Sequence, residues 1–152
     1  MSVDLHAAQS QGFFDGPVDH LIAMPVLVDY IRDRFANQLD NVAVVSPDAG
    51  RIRVAEQWAQ RLGGGPLAFV HKTRDITRPN QAVANRVVGD VEGKDCVLVD
   101  DLIDTAGTIA GACSVLKNAG AKSVTVVATH GVLSGPAVER LKNSGVREVV
   151  LT

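Results

Sequence analysis

Five short apolar runs recur along the 152 residues with helix-forming segments between them: NVAVVS (41–46), LAFVH (67–71), CVLVD (96–100), SVTVVATH (123–130) and REVVL (147–151). No other feature restricts the fold as much. The runs are continuous rather than alternating, which is the pattern of strands covered on both faces. Between them, RIRVAEQWAQRL places Ile52, Ala55, Ala59 and Leu62 at helical spacing, and TIAGACSVLKNAG ends in an Asn-Ala-Gly stop. GPAVERLKNSG has Pro136 near its start and Gly145 past its end. A further helix is expected from Pro25 through PVLVDYIRDRFANQL, packing through Leu27, Ile31 and Phe35. Alternating strands and helices imply right-handed crossovers and an α/β fold, a doubly wound parallel sheet with helices on both faces. Ligands of such sheets gather at the carboxyl ends of the strands.

The length supports one folding unit. Residues 1–24 show no complete unit of their own and read as the remnant of a preceding N-terminal domain, leaving 25–152 as the α/β domain. A formal charge of −2 offers no broad basic surface, so nucleic acid is not an expected partner. Cys96 and Cys113 lie in an apolar strand and a predicted helix, outside any paired metal-ligand spacing, and read as buried thiols. MSVDLHAAQSQ lacks the basic start and apolar run of a signal peptide, and no stretch reaches membrane-spanning length. A cytoplasmic protein without a membrane partner is expected.

The segment CVLVDDLIDTAGTI (96–109) turns this fold toward chemistry. A buried strand has no structural use for two adjacent carboxylates at its end. Asp100 and Asp101 can accept paired hydrogen bonds from a vicinal diol or approach a ligand-held metal. Asp104 to Thr108 then form a tight turn into a helix beginning near Thr108 or Ile109, whose free N–H groups, with the hydroxyls of Thr105 and Thr108, suit a phosphate. A sugar phosphate satisfies both halves. Helix capping explains one acid but not the adjacent pair. Neither a P-loop nor a dinucleotide glycine fingerprint is present. The connection KTRDITRPNQAVA (72–84) is long and polar, and reads either as a solvated loop or as a lid over an anionic ligand.

VLVDDLIDTAGTI closely resembles the phosphoribosyl diphosphate signature shared by type I phosphoribosyltransferases and ribose-phosphate pyrophosphokinases. VDLHAAQSQGFFDGPVDHL, VVSPDAGRIRVAEQWAQRLGG, HKTRD, NRVVGDVEGKDCVLVDD and ATHGVLSGPAVERL resemble the second family, in order, from end to end. The resemblance implies a transferase of nucleotide biosynthesis that moves the β,γ-diphosphoryl group of ATP onto the C1 hydroxyl of ribose 5-phosphate, with Mg2+ required and AMP as the other product. It implies that Asp100 and Asp101 approach the ribose hydroxyls while Asp104, Thr105, Ala106, Gly107 and Thr108 enclose the 5-phosphate. Lys72 and Arg74 match the family's catalytic Lys-x-Arg pair and contact ATP. Such cations would stabilise charge moving among phosphate oxygens. His6 and Asp48 become magnesium or Mg-ATP contacts, the histidine being the weaker oxygen-ion ligand. His20, His71 and His130 carry no comparable case.

Two local departures stand out. Many family members have Gly-Gly where this chain has Ala106-Gly107, and alanine costs roughly 1 kcal/mol if that backbone is left-handed. Arg51 stands where the family often has glycine, and would either crowd a metal or add a phosphate contact. The chain also resembles only the carboxyl half of the family, whose preceding domain carries most of the adenine site and whose members form homo-oligomers. Exposed apolar surface near Phe13, Phe14 and Leu21 is therefore expected. Alternative readings are a type I phosphoribosyltransferase and a sugar-phosphate-binding regulatory subunit without catalysis.

Overall fold

The computed structural model describes residues 1–73 and 84–152. Two short strands, β1 (Ser2–Val3) and β2 (His20–Leu21), pair in parallel beside the main sheet. The rest alternates as the apolar runs require: α1 (Met24–Arg34), β3 (Val42–Ser46), α2 (Ile52–Arg61), β4 (Leu67–Thr73), β5 (Ala84–Val88), β6 (Asp95–Ile103), α3 (Gly107–Asn118), β7 (Ser123–Gly131), α4 (Ala137–Asn143) and β8 (Glu148–Leu151). Among the described residues the main sheet has the order β5-β4-β3-β6-β7-β8. β3, β4, β6, β7 and β8 run parallel to one another, which is the expected doubly wound arrangement.

β5 corrects the purely parallel expectation. It pairs antiparallel with β4, Lys72 facing Asn85 and Val70 facing Val87. Its sequence, ANRVV, hid it: Arg86 and Val88 are exposed while Val87 packs on the core, as on a sheet edge covered from one side only. β8 is likewise half-buried along its length, since it forms the opposite edge.

Successive residues of the central strands feed two separate cores, because side chains alternate across a sheet. Cys96 and Leu98 of β6 pack with Ile109, Cys113 and Leu116 of α3 and Leu141 of α4. Val97 and Val99 point the other way, into Leu27, Val28 and Ile31 of α1 and Ala55, Trp58 and Ala59 of α2. Both cysteines are free and buried, and burial pushes their thiols up to about 12 and about 11. Trp58 joins that second layer, whereas Ile52, expected there, is half-buried.

α1 starts one residue before Pro25 and ends at Arg34, short of the expected Leu39. Phe35 is buried just past the helix, with the Arg147 guanidinium 5.8 Å from the centre of its ring. Asn41 is tied by its amide to the Gly93 carbonyl (3.1 Å) and to Asp95 Oδ2 (3.2 Å). That anchor sets where β3 begins, so residues 36–38 must turn instead of extending the helix. The long connection's lid reading falls mostly on residues 74–83, outside the described residues. Phe13 (88% exposed), Phe14 (66%) and Leu21 (48%) present apolar surface to solvent. Among the described residues no helix is long and apolar enough to cross a membrane.

Candidate functional site

The strand order reverses between β3 and β6: the chain leaves β3 toward β4 on one side and leaves β6 toward β7 on the other. Crossovers diverge there, opening a crevice at the strand ends. Ser46 ends β3, and its hydroxyl donates to the Asp48 carbonyl (2.6 Å). Asp48 then accepts the Gly50 N–H on its own carboxylate (2.9 Å), capping the turn Ala49–Arg51 that leads into α2. Across the crevice, β6 delivers Asp100 and Asp101. His6, Asp48, Arg51, Asp100, Asp101 and the turn 102–109 line one cavity of about 240 Å³.

The acid pair is crowded. Asp100 Oδ1 accepts the Asp101 N–H (2.9 Å) and lies 3.5 Å from Arg51 Nε. Asp101 Oδ2 bonds Arg51 Nη2 and lies 2.8 Å from His6 Nδ1. Burial and the neighbouring Asp101 charge push the Asp100 carboxyl up to about 6, against partial relief from the Asp101 N–H and Arg51. Burial also opposes ionisation of Asp101, but the Asp100 hydrogen bond, Arg51 and His6 outweigh it and hold that carboxyl below its ordinary value. Asp101 is thus the more readily ionised of the two, and one guanidinium lies against both carboxyls.

The turn after β6 is braced from behind. The Ile103 carbonyl accepts Leu133 N–H, the Asp104 carbonyl accepts Ser134 N–H (each 3.0 Å), and the Thr105 carbonyl accepts Arg140 Nη1–H (3.0 Å). Gly107, Thr108 and Ile109, the first residues of α3, whose N–H groups have no partner within the helix, line the cavity. Ala106 caps the helix in left-handed backbone, φ 58 and ψ 12, so α3 begins at Gly107, a residue or two before the expected start. The conditional cost anticipated for alanine at this position thus applies. Asp104, Thr105, Gly107 and Thr108 are exposed, and Ala106 is buried.

Of the residues singled out from sequence, His6, Asp48, Asp100, Asp101 and Asp104 to Thr108 come together here. Lys72 belongs to β4, near the end of an adjoining strand, and Arg74 lies outside the described residues. Arg51, for which a metal-crowding and a phosphate-contacting reading stood open, lies against the acid pair and His6. Sequence reasoning missed the residues that carry His6 to the site. Asp4 Oδ2 accepts Ala23 N–H (3.0 Å) and the Thr129 hydroxyl (2.6 Å). His20 Nε2 accepts Leu5 N–H (3.0 Å), and His130 Nε2 hydrogen-bonds the Val3 carbonyl (2.8 Å). These contacts span 15 to 127 positions, so no local spacing could have revealed them.

Among the described residues no cluster of three or more metal-ligating side chains is assembled. Magnesium needs no such cage when it arrives with a phosphate ligand, since it keeps waters and takes one or two carboxylates. Asp48 fits that role. His6 is a nitrogen donor, the weaker kind of partner for magnesium, and its Nδ1 lies against Arg51 and Asp101.

Residues 20–150 match the phosphoribosyl transferase domain, and the chain belongs to that family. It is 93% identical over all 152 residues to the ribose-phosphate pyrophosphokinase of Bifidobacterium longum, spanning 45% of that protein. The structure superposes on the phosphoribosylpyrophosphate synthetase of Mycobacterium smegmatis with a TM-score of 0.87 at 58% identity, covering 98% of this chain and 46% of that one. Orotate phosphoribosyltransferase from Aeropyrum pernix superposes with a TM-score of 0.62 at 29% identity, over 84% of this chain and 70% of that one. The chain therefore spans about half the length of the curated relatives it matches.

Proposed function

We propose that this chain carries the ribose 5-phosphate site of a ribose-phosphate diphosphokinase. The carrying observation is that a buried strand ends in an acid pair and passes directly into a left-handed turn and helix N-terminus, all lining one cavity at the sheet's switch point. Asp100 and Asp101 receive the ribose hydroxyls, and the N–H groups and hydroxyls of 104–108 receive the 5-phosphate. The names of the relatives support this pairing over a generic sugar-phosphate site.

In the reaction the C1 oxygen of the sugar bonds to the β-phosphorus of ATP. The bond from that phosphorus to the oxygen bridging the α-phosphate breaks, AMP keeps the bridging oxygen, and the C1 hydroxyl releases its proton. A magnesium ion held with the ATP phosphates would supply neutralising charge there. Asp48 offers it one carboxylate. Lys72 and Arg74 supply positive charge to the migrating diphosphoryl group, where a loose transition state spreads charge over its oxygens. The protein works in the cytoplasm as part of a homo-oligomer.

The test is calorimetric titration with ribose 5-phosphate, followed by incubation with Mg-ATP and a no-sugar control. One-to-one binding of ribose 5-phosphate, weakened about tenfold in Thr108→Val, is expected, without AMP from this half alone. Sugar-dependent AMP would show that this half suffices for the transfer, whereas binding without AMP is the behaviour of a half that keeps the acceptor site and does not position ATP. No binding of ribose 5-phosphate would remove the proposed site. Release of pyrophosphate from phosphoribosyl diphosphate with a nucleobase would reassign the chain to the phosphoribosyltransferase reaction.

A further inference from the structure

Arg51 stands where three segments distant in sequence meet. Its Nε lies 3.5 Å from Asp100 Oδ1, and its Nη2 bonds Asp101 Oδ2 and lies 2.8 Å from His6 Nδ1. The acid side chains are 15% and 8% exposed, and the arginine 20%. Carboxylate oxygens and an imidazole nitrogen are donors of the kind that a divalent cation such as manganese accepts, yet among the described residues Asp100, Asp101 and His6 are not drawn together into a metal cluster. Here a guanidinium occupies the space between them. It is also held from its own backbone: Asp48 caps the turn Ala49–Arg51, and α2 starts at the next residue. A dissolved ion must compete with this group, whereas the group itself cannot diffuse away.

We propose that Arg51 is the resident cation of the Asp100–Asp101–His6 cluster, a tethered substitute that keeps divalent metal out of it. The charge argument has two sides. Two buried carboxylates in sequence repel unless a cation lies within a few ångströms, and the planar fork of arginine can reach both acids at once, as an ammonium cannot. Once that fork is seated, a divalent ion would have to displace a buried ion pair and leave the guanidinium uncompensated, which is costly. Metal entering the cavity with a phosphate ligand is consequently directed to the opposite wall, where Asp48 lies, and the acid pair keeps its remaining acceptor positions for hydroxyl groups. This inference concerns the free chain and stands whether or not the reaction proposed above is correct.

The probe is Mn2+ alone, with no nucleotide or sugar present, followed by electron paramagnetic resonance of the free ion and by broadening of the His6 ring signals in NMR. In the parent chain Asp101→Asn leaves Mn2+ binding unchanged, and His6 signals stay sharp at submillimolar metal. Arg51→Gln gains one Mn2+ at least tenfold tighter than any site in the parent chain, broadens His6, and loses that site again in the Arg51→Gln/Asp101→Asn double variant. Arg51→Gly serves as a second neutral variant, with far-ultraviolet circular dichroism confirming the fold. Unchanged Mn2+ affinity in folded Arg51→Gln would overturn the proposal. So would weaker Mn2+ binding in Asp101→Asn on the parent background, a comparison that needs no Arg51 variant to fold.

Discussion

Ala106 is held in left-handed backbone while its methyl group is buried, 4% exposed, against the α3 core. The backbone disfavours alanine by roughly 1 kcal/mol, and burial of one methyl returns about 0.8 kcal/mol. Ala106→Gly should therefore change the urea unfolding free energy by less than about 1 kcal/mol. Ala106→Val adds a β-branched side chain at positive φ in a packed site and should cost about 2 kcal/mol or more. Asp100 is the other residue under tension. Its carboxyl sits near 6 in the folded chain, against an ordinary 3.8. An acid raised in this way destabilises the fold when ionised, above pH 6, and not when protonated in both states, below pH 4. Asp100→Asn should stabilise the chain by about 1–3 kcal/mol at pH 7.5, with the gain fading toward pH 4, while weakening ribose 5-phosphate binding. Equal stability of variant and parent at pH 7.5 would remove the burial argument.

At the scale of elements, β6 is anchored at its start by a second buried acid. Asp95 accepts hydrogen bonds from the Ser123 hydroxyl (2.6 Å), Lys122 Nζ (2.9 Å) and the Asn41 amide (3.2 Å). Burial opposes its ionisation, but these bonds outweigh it and bring the carboxyl below 3.8. A depressed acid stabilises the fold above its unfolded value and loses that contribution as pH falls through the folded one. Asp95→Asn should thus cost about 2–3 kcal/mol at pH 7 and show a shallower loss of stability below pH 4 than the parent chain. The N-terminal segment depends on a different tether. Removing the Asp4 carboxylate frees Ala23 N–H and the Thr129 hydroxyl together. Asp4→Ala is expected to speed amide exchange across residues 2–21 and to release His6, with exchange in β6 unchanged; slow exchange in that segment would show that β1–β2 pairing alone holds it.

Across the whole molecule, stability should grade from the middle of the sheet outward. β6 is flanked by β3 and β7 and buries Val97, Leu98 and Val99, whereas β8 is half-buried throughout. The slowest exchanging amides should lie in β6 and β7 and exchange only through global unfolding, while those of β8 exchange earlier. The five parallel strands and the helices between them were legible because each strand, buried on both faces, has to be written as a continuous apolar run. The acid pair and turn were legible because they break that rule at a strand end. β5 was not, since an edge strand needs only Val87 on its inner face and leaves little pattern. Nor was the end of α1, which depends on where Asn41 is tied. The residues around His6 stayed hidden for the same reason, as their contacts join positions up to 127 apart. Local order, periodicity and breaks in periodicity are properties of a chain, and they determined the α/β architecture and the strand end at which chemistry would sit. Which cation meets the acid pair, which alanine takes the left-handed turn and what pins His6 were decided only when β3, β6 and the N-terminal segment converged, because those are energies of proximity in space.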